Sequence, residues 1–262
     1  MNKKNKTGVS HSCETQGDGS SERESKISLS AAARADSLRA GSSYQTGVLH
    51  KERNSCKKEG NLFVIAAPSG AGKTSLVRAL VKQVDHILIS VSYTTRPPRP
   101  RDQEGIDYFF VSEARFQQMI KEHAFLEYAE VYRFHYGTGK EWVMHQLAAG
   151  DDVILEIDWQ GARQIRYLFP SAISIFILPP SAETLKKRLL ARRQDNLNTI
   201  NERMAMAKQE MEHCHEFNYW VVNDDFDQAV QDLLAIVRAE RLKLIAQKHT
   251  LTPLLADLMK TQ

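Results

Sequence analysis

Between Ala67 and Thr74 the chain reads APSGAGKT, which fits the spacing GxxxxGK[ST] except for alanine at the first glycine. Gly70 and Gly72 let the backbone curl so that successive N–H groups face one anion, and Lys73 brings a cation to the same place. Thr74 adds a hydroxyl of the kind that ligates Mg2+ beside a polyphosphate. The chemistry is that of a nucleoside triphosphate, cradled by Ala67, Pro68, Ser69, Gly70, Ala71, Gly72, Lys73 and Thr74. Ala67 can replace glycine as long as its position does not need a positive φ. Glu156 and Asp158 end an apolar run two residues apart, on one face of a strand, where carboxylates could stand near the metal. The loop gives the ligand class but not the reaction, because motors, GTPases, ATPases and small kinases share it.

A second anion site is written in TTRPPRPRDQEGIDYFF, Thr94 to Phe110. Its prolines fix φ, so Arg96 and Arg99 have a restricted range, and a guanidinium fork suits a phosphate monoester. Tyr108, Tyr136 and Thr138 add hydroxyls, and the two glycines of YGTG around Thr138 suit close approach of a ligand. Read alone, the same stretch could be a proline-rich linker or an SH3-type ligand. That reading leaves the other motifs unexplained. Further on, KKRLLARRQDN places Arg188 and Arg192 four residues apart on one helical face. Such a charged helix, standing alone, reads as a solvated surface.

These residues need a scaffold, and the chain supplies one. Short apolar runs at LFVIAA (62–67), ILISVS (87–92), VILEID (153–158), SIFIL (174–178) and WVV (220–222) suit buried strands. Helical patterns follow the phosphate loop and fall at 113–121, 140–149, 182–193, 199–211 and 227–246. Alternation of this kind predicts an α/β domain on a parallel sheet. The 262 residues are 42% hydrophobic and 26% charged, as in an ordinary globular protein. The net charge of +3 is too small to suggest nucleic acid, and residues 1–58 carry 11 Lys+Arg against 6 Asp+Glu. That stretch has too few bulky apolar groups to offset the entropy of ordering and is expected to be a disordered extension. Cys13, Cys56 and Cys214 have no regular spacing, so neither a disulfide framework nor a metal site is expected, in keeping with a reducing cytoplasm. No run is long enough to predict a membrane span.

Taken in order, APSGAGKT, SVSYTTRPPRP, DYFF, FLEYAEVY, YGT, LEIDWQGA and VNDD, spread over about residues 61–247, resemble the guanylate kinases of the nucleoside monophosphate kinase group. The resemblance implies a P-loop NTPase-type parallel sheet flanked by helices, with an inserted mixed-β GMP-binding subdomain and a helical lid. The domain would span 59–262, its core 61–93, 141–184 and 206–262, its insert 94–140 and its lid 185–205. It implies direct in-line transfer of the ATP γ-phosphoryl group to GMP, and to dGMP, with Mg2+ bound alongside ATP and no phosphoenzyme. Arg96 and Arg99, with Tyr108 and Tyr136, would bind the GMP phosphate. Ser92, Glu127, Thr138 and Asp158 would read the base. Arg188, Arg192 and Arg203 would join Lys73 in stabilising the transferring group, and Asn223 would lie near the adenine. Thr74 would hold the metal together with the ATP phosphates, and Glu156 is a further candidate ligand.

The base contact has a chemical logic. Guanine presents a ring N–H beside an exocyclic amine, a donor pair that one carboxylate can accept, whereas adenine has an acceptor at that ring position. The sequence departs from the family pattern at Arg101–Asp102, where Gly–Glu is usual, at Glu156, where Asp is usual, and at Arg193, where Gly is common in the lid. A guanylate kinase-like scaffold module is the rival from another class, and its degraded phosphate loop contrasts with the intact Lys73 and Thr74 here. A kinase for another acceptor is a second rival, disfavoured by Glu127, Thr138 and Asp158. Neither a nucleic-acid nor a membrane partner is expected, and monomer and homo-oligomer both stay open.

Overall fold

All five apolar runs become strands of one parallel sheet in the computed structural model, which describes residues 59–191 and 197–260. They are β1 (Leu62–Ala66), β2 (Ile87–Ile89), β7 (Asp152–Glu156), β8 (Ile173–Leu178) and β9 (Tyr219–Val222), in the spatial order β2-β7-β1-β8-β9. β1 is buried at every position between β7 and β8, with Ile65 opposite both Glu156 and Ile175. A strand covered on both faces is apolar throughout instead of alternating, which is why these runs are continuous.

Successive residues of β1 point to opposite faces, and two cores result. Phe63 and Ile65 pack with Leu76, Val77 and Leu80 of α1 (Lys73–Val81) and with Leu233, Leu234 and Val237 of α7 (Phe226–Leu242). Leu62 and Val64 pack the other way, on Val143 and Leu147 of α3 (Lys140–Ala149) and Ala162 and Ile165 of α4 (Trp159–Leu168). The remaining helices are α2 (Glu113–Lys121), α5 (Ala182–Ala191), α6 (Leu197–Glu212) and α8 (Leu244–Leu258). A second sheet, ordered β4-β3-β6-β5, comes from β3 (Tyr93–Thr94), β4 (Phe109–Phe110), β5 (Phe125–Val131) and β6 (Phe134–Gly139). It is mixed, because β3 pairs parallel with β4 and antiparallel with β6. The fold is therefore the α/β type expected, with a small mixed sheet inserted between the second and third strands of the main one.

Two helical segments differ from expectation. The pattern over 227–246 is broken at Lys243, whose ψ of 143° starts a separate helix, α8. Apolar periodicity runs through such a break because both helices carry leucines. α4 (Trp159–Leu168) follows β7 directly and was not among the expected helices. What starts it is the Asp158 side chain, which accepts from the Gly161 N–H as an N-cap. Arg192, Arg193 and residues 1–58 lie outside the described residues.

The amino end of the parallel sheet, away from the phosphate loop, is tied by a buried carboxylate. Asp152 accepts from the Asn61 backbone N–H at 2.6 Å, from Asn61 Nδ2 at 3.0 Å and from Arg241 Nε at 2.8 Å. Removing it leaves a backbone donor and a guanidinium without their acceptor. Asp152→Ala is expected to lose about 2–3 kcal/mol of stability, measured by denaturant unfolding, with little change in substrate KM.

Candidate functional site

The phosphate loop leaves the carboxyl end of β1 and winds into α1, the place where open α/β sheets bind ligands. Gly70 (φ 97°) and Gly72 (φ 96°) take left-handed conformations that favour glycine, whereas Ala67 is absent from the positive-φ residues. Alanine is thus sterically acceptable at the first position of the motif. At Gly72 a Cβ would also come within 2.4 Å of Asn223 Nδ2, which donates to Ala71 O at 2.6 Å. Asn223, expected near the adenine, braces the loop backbone.

Lys73 and Thr74 reach from α1 to the end of β7. Lys73 Nζ donates to Ile157 O at 3.1 Å, and Thr74 Oγ1 donates to Glu156 Oε2 at 2.9 Å. A hydroxyl and a carboxylate side by side form the hard-oxygen set that suits Mg2+. Asp158 sits differently from Glu156: one carboxyl oxygen caps α4 through Gly161 N at 2.9 Å, and the other accepts from Gln160 Nε2 at 3.0 Å.

The arginine-rich loop forms a compact clamp. Arg96 is buried, its Nη1 on Pro97 O at 2.9 Å and its Nη2 on Asp102 Oδ2 at 2.7 Å. Asp102 Oδ2 also accepts from the Arg99 backbone N–H at 2.9 Å. Burial raises the Asp102 pKa, but the Arg99 N–H and the Arg96 guanidinium outweigh it and hold the carboxyl below its ordinary range. The Arg96 guanidinium lies 5.3 Å from the Tyr108 ring centre and 5.8 Å from that of Phe110. Tyr108 in turn meets Tyr136 edge-on at 5.8 Å. Burial, then the neighbouring Tyr136 and Glu156, push the Tyr108 phenol up to about 12, so it remains a neutral donor. The Arg99 side chain is exposed, and Ser92 accepts from the Phe109 N–H through its backbone carbonyl at 2.9 Å.

Behind this clamp lies the buried pair Glu127 and Thr138, with Thr138 Oγ1 donating to Glu127 Oε1 at 2.5 Å. The two residues face each other across the β5–β6 ladder. Burial pushes Glu127 up to about 7, Asp158 adds to the rise, and Thr138 and Lys73 oppose it. A Cβ on Gly161 would stand 2.3 Å from Glu127 Oε2, so α4 makes room for the carboxyl by having glycine there.

Near the phosphate loop, Arg188 Nη2 donates to O of Asn223, the residue that braces the loop, at 2.9 Å. Arg203 Nη1 reaches Ser69 Oγ at 3.5 Å, and its guanidinium lies 5.7 Å from the Tyr132 ring at the β5–β6 turn. Leu185 and Leu189 of α5 pack with Ile200 and Ala207 of α6, so one small apolar core joins the two helices that carry these arginines. Three site residues escaped the sequence reading. Asp102 stood out only as a departure, Gly161 as part of a motif, and Glu210, half-buried beside the phosphate loop, gave no signal.

In sequence and in overall fold the chain is similar to known proteins. A family model described as guanylate kinase matches residues 59–240. A guanylate kinase of Coxiella burnetii (strain RSA 493 / Nine Mile phase I) is 64% identical over 202 residues, covering 77% of this chain and 98% of its own length. That of Legionella pneumophila (strain Paris) is 51% identical over 203 residues, covering 78% and 97%. The crystal structure of guanylate kinase from Anaplasma phagocytophilum superposes with a TM-score of 0.62 at 30% identity, over 72% of this chain and 90% of that one. With the phosphate loop at the carboxyl end of the parallel sheet and the arginine clamp and buried Glu127–Thr138 pair in its insert, the chain belongs to the guanylate kinase family.

Proposed function

We propose a division of labour for the residues of this guanylate kinase, which transfers the γ-phosphoryl group of ATP to GMP and yields ADP and GDP. The observation that carries it is the buried Glu127 carboxyl, held by Thr138 and within electrostatic reach of Lys73. It links an acceptor-base pocket to the phosphate loop.

The loop backbone and Lys73 hold the ATP phosphates. Arg96 and Arg99 grip the GMP phosphate, with the neutral phenol of Tyr108 and the hydroxyl of Tyr136 beside them. Glu127, Thr138, Ser92 and Asp158 surround guanine. Arg188, Arg192 and Arg203 bring positive charge to the transferring group as α5 and α6 close over the site. Thr74 and Glu156 would hold Mg2+ with ATP, and the bound ion would add charge neutralisation at the phosphate oxygens. Phosphoryl transfer leaves little covalent work to the protein, so the chain's task is alignment, electrostatics and exclusion of water. The insert 94–140 and the lid 185–205 are the parts assigned to closure, around a core of 61–93, 141–184 and 206–262. A cytoplasmic setting belongs to the same proposal. Its support is the scattered cysteines, with no helix among the described residues long and apolar enough to cross a membrane.

Asp102 offers a direct test of the clamp. Because it holds both the Arg96 fork and the Arg99 backbone, Asp102→Ala is expected to raise the KM for GMP about tenfold while leaving the KM for ATP unchanged. An ADP-release assay with each substrate varied in turn reads both. A GMP KM equal to that of the parent protein would remove Asp102 from the clamp.

A further inference from the structure

Glu210 lies two turns beyond Arg203 on α6 and returns to the same face of the helix. Both side chains come to Ser69 of the phosphate loop: Arg203 at the hydroxyl, and Glu210 opposite the backbone N–H. Glu210 Oε2 is buried without a hydrogen-bond partner. A buried polar atom of this kind is costly unless something fills its need. Beside a loop that cradles phosphate, a phosphate oxygen can accept from this atom once the carboxyl carries a proton.

We propose that Glu210 is a ligand of ATP, donating its carboxyl O–H in the neutral form to an oxygen of the terminal phosphates, so that donor binding is coupled to uptake of one proton. The inference rests on the phosphotransfer reading above. The charged groups facing Glu210 are Lys73 from α1 and Asp158 from the β7–α4 junction, together with the Ser69 N–H from the loop. Burial pushes its pKa up to about 7, with Asp158 adding to the rise and Lys73 and the Ser69 N–H opposing it. Near neutrality the ligand-free protein therefore holds both forms. The anionic triphosphate repels an ionised carboxylate at this range and accepts a hydrogen bond from a neutral one, so binding selects the protonated form. Glu127, on the acceptor side of Lys73, has the opposite requirement, because guanine's two donors need an ionised carboxylate. The two acids thus make ATP binding take up a proton and GMP binding release one.

Calorimetry with a non-hydrolysable ATP analogue and Mg2+, at pH 8 in two buffers of different ionisation enthalpy, tests this without an acceptor. The parent protein is expected to take up close to one proton, and Glu210→Gln, which keeps an N–H donor, none. In steady state the KM for ATP should rise about tenfold per pH unit above pH 8 in the parent protein and stay flat in Glu210→Gln. The KM for GMP should be the same in both. Binding without proton uptake by the parent protein, or an equal pH slope in the variant, would overturn the role of Glu210 alone. Failure of the parent protein to bind the analogue at any pH would overturn the phosphotransfer reading as well.

Discussion

Lys73→Ala is expected to lower kcat/KM by about 10²- to 10³-fold, with folding intact. The lysine is the first residue of α1, and its Nζ reaches the end of β7 at Ile157 O, within electrostatic range of both Glu127 and Glu210. In the proposed site it is the cation between the ATP and GMP halves. Its loss removes charge stabilisation where the phosphoryl group passes, so most of the fall belongs in kcat. Single-turnover ADP release measures this, and a thermal melt within a few degrees of the parent protein separates it from misfolding. An unchanged kcat would show that the loop backbone and the arginines suffice.

Glu127→Gln is expected to cost about 10²- to 10⁴-fold in kcat/KM for GMP. A carboxylate accepts from both guanine donors. An amide accepts from one and sets its own N–H against the other, in a site from which water is excluded. The same substitution should narrow the gap between GMP and AMP, since adenine can accept where guanine donates. A pH dependence accompanies it. The Glu127 carboxyl is pushed up to about 7, mainly by burial, and guanine binding needs the ionised form. The KM for GMP should therefore rise about tenfold per unit as pH falls below 7 and level off above it. In Glu127→Gln that dependence disappears, leaving only the ionisation of GMP itself. A profile identical in the two proteins would rule out Glu127 as the titrating group.

Much of this was legible in the residues, for reasons that differ from element to element. The five sheet strands announced themselves because strands covered on both faces must be apolar throughout, and the phosphate loop because few residue types tolerate its φ values and close approaches. The mixed sheet was harder to read, since β3 and β4 have two residues each and acquire meaning only through pairing with β6. The Arg96 clamp could be inferred from prolines and arginines. Its hinge on Asp102 could not, because an acid among arginines is equally consistent with a solvated loop. Gly161 resembled any helical glycine until the Glu127 carboxyl was seen to occupy its Cβ position. Glu210 is the sharpest case. It sits in a polar helix whose sequence gives no hint that one face is turned to the phosphate loop, and only burial beside Ser69 and Lys73 distinguishes it. Long-range contacts of this kind are written in the approach of α6 to the phosphate loop and leave no local pattern.

The central claim is that Glu127 with Thr138 makes this phosphate-transfer site specific for guanine. ADP release from ATP and Mg2+ with GMP and with AMP as acceptor, in the parent protein and in Glu127→Gln, tests it most directly. The account predicts that the parent protein turns over GMP in strong preference to AMP, and that most of this preference is lost in the variant. Equal turnover of GMP and AMP by the parent protein, or an undiminished preference in Glu127→Gln, would contradict it.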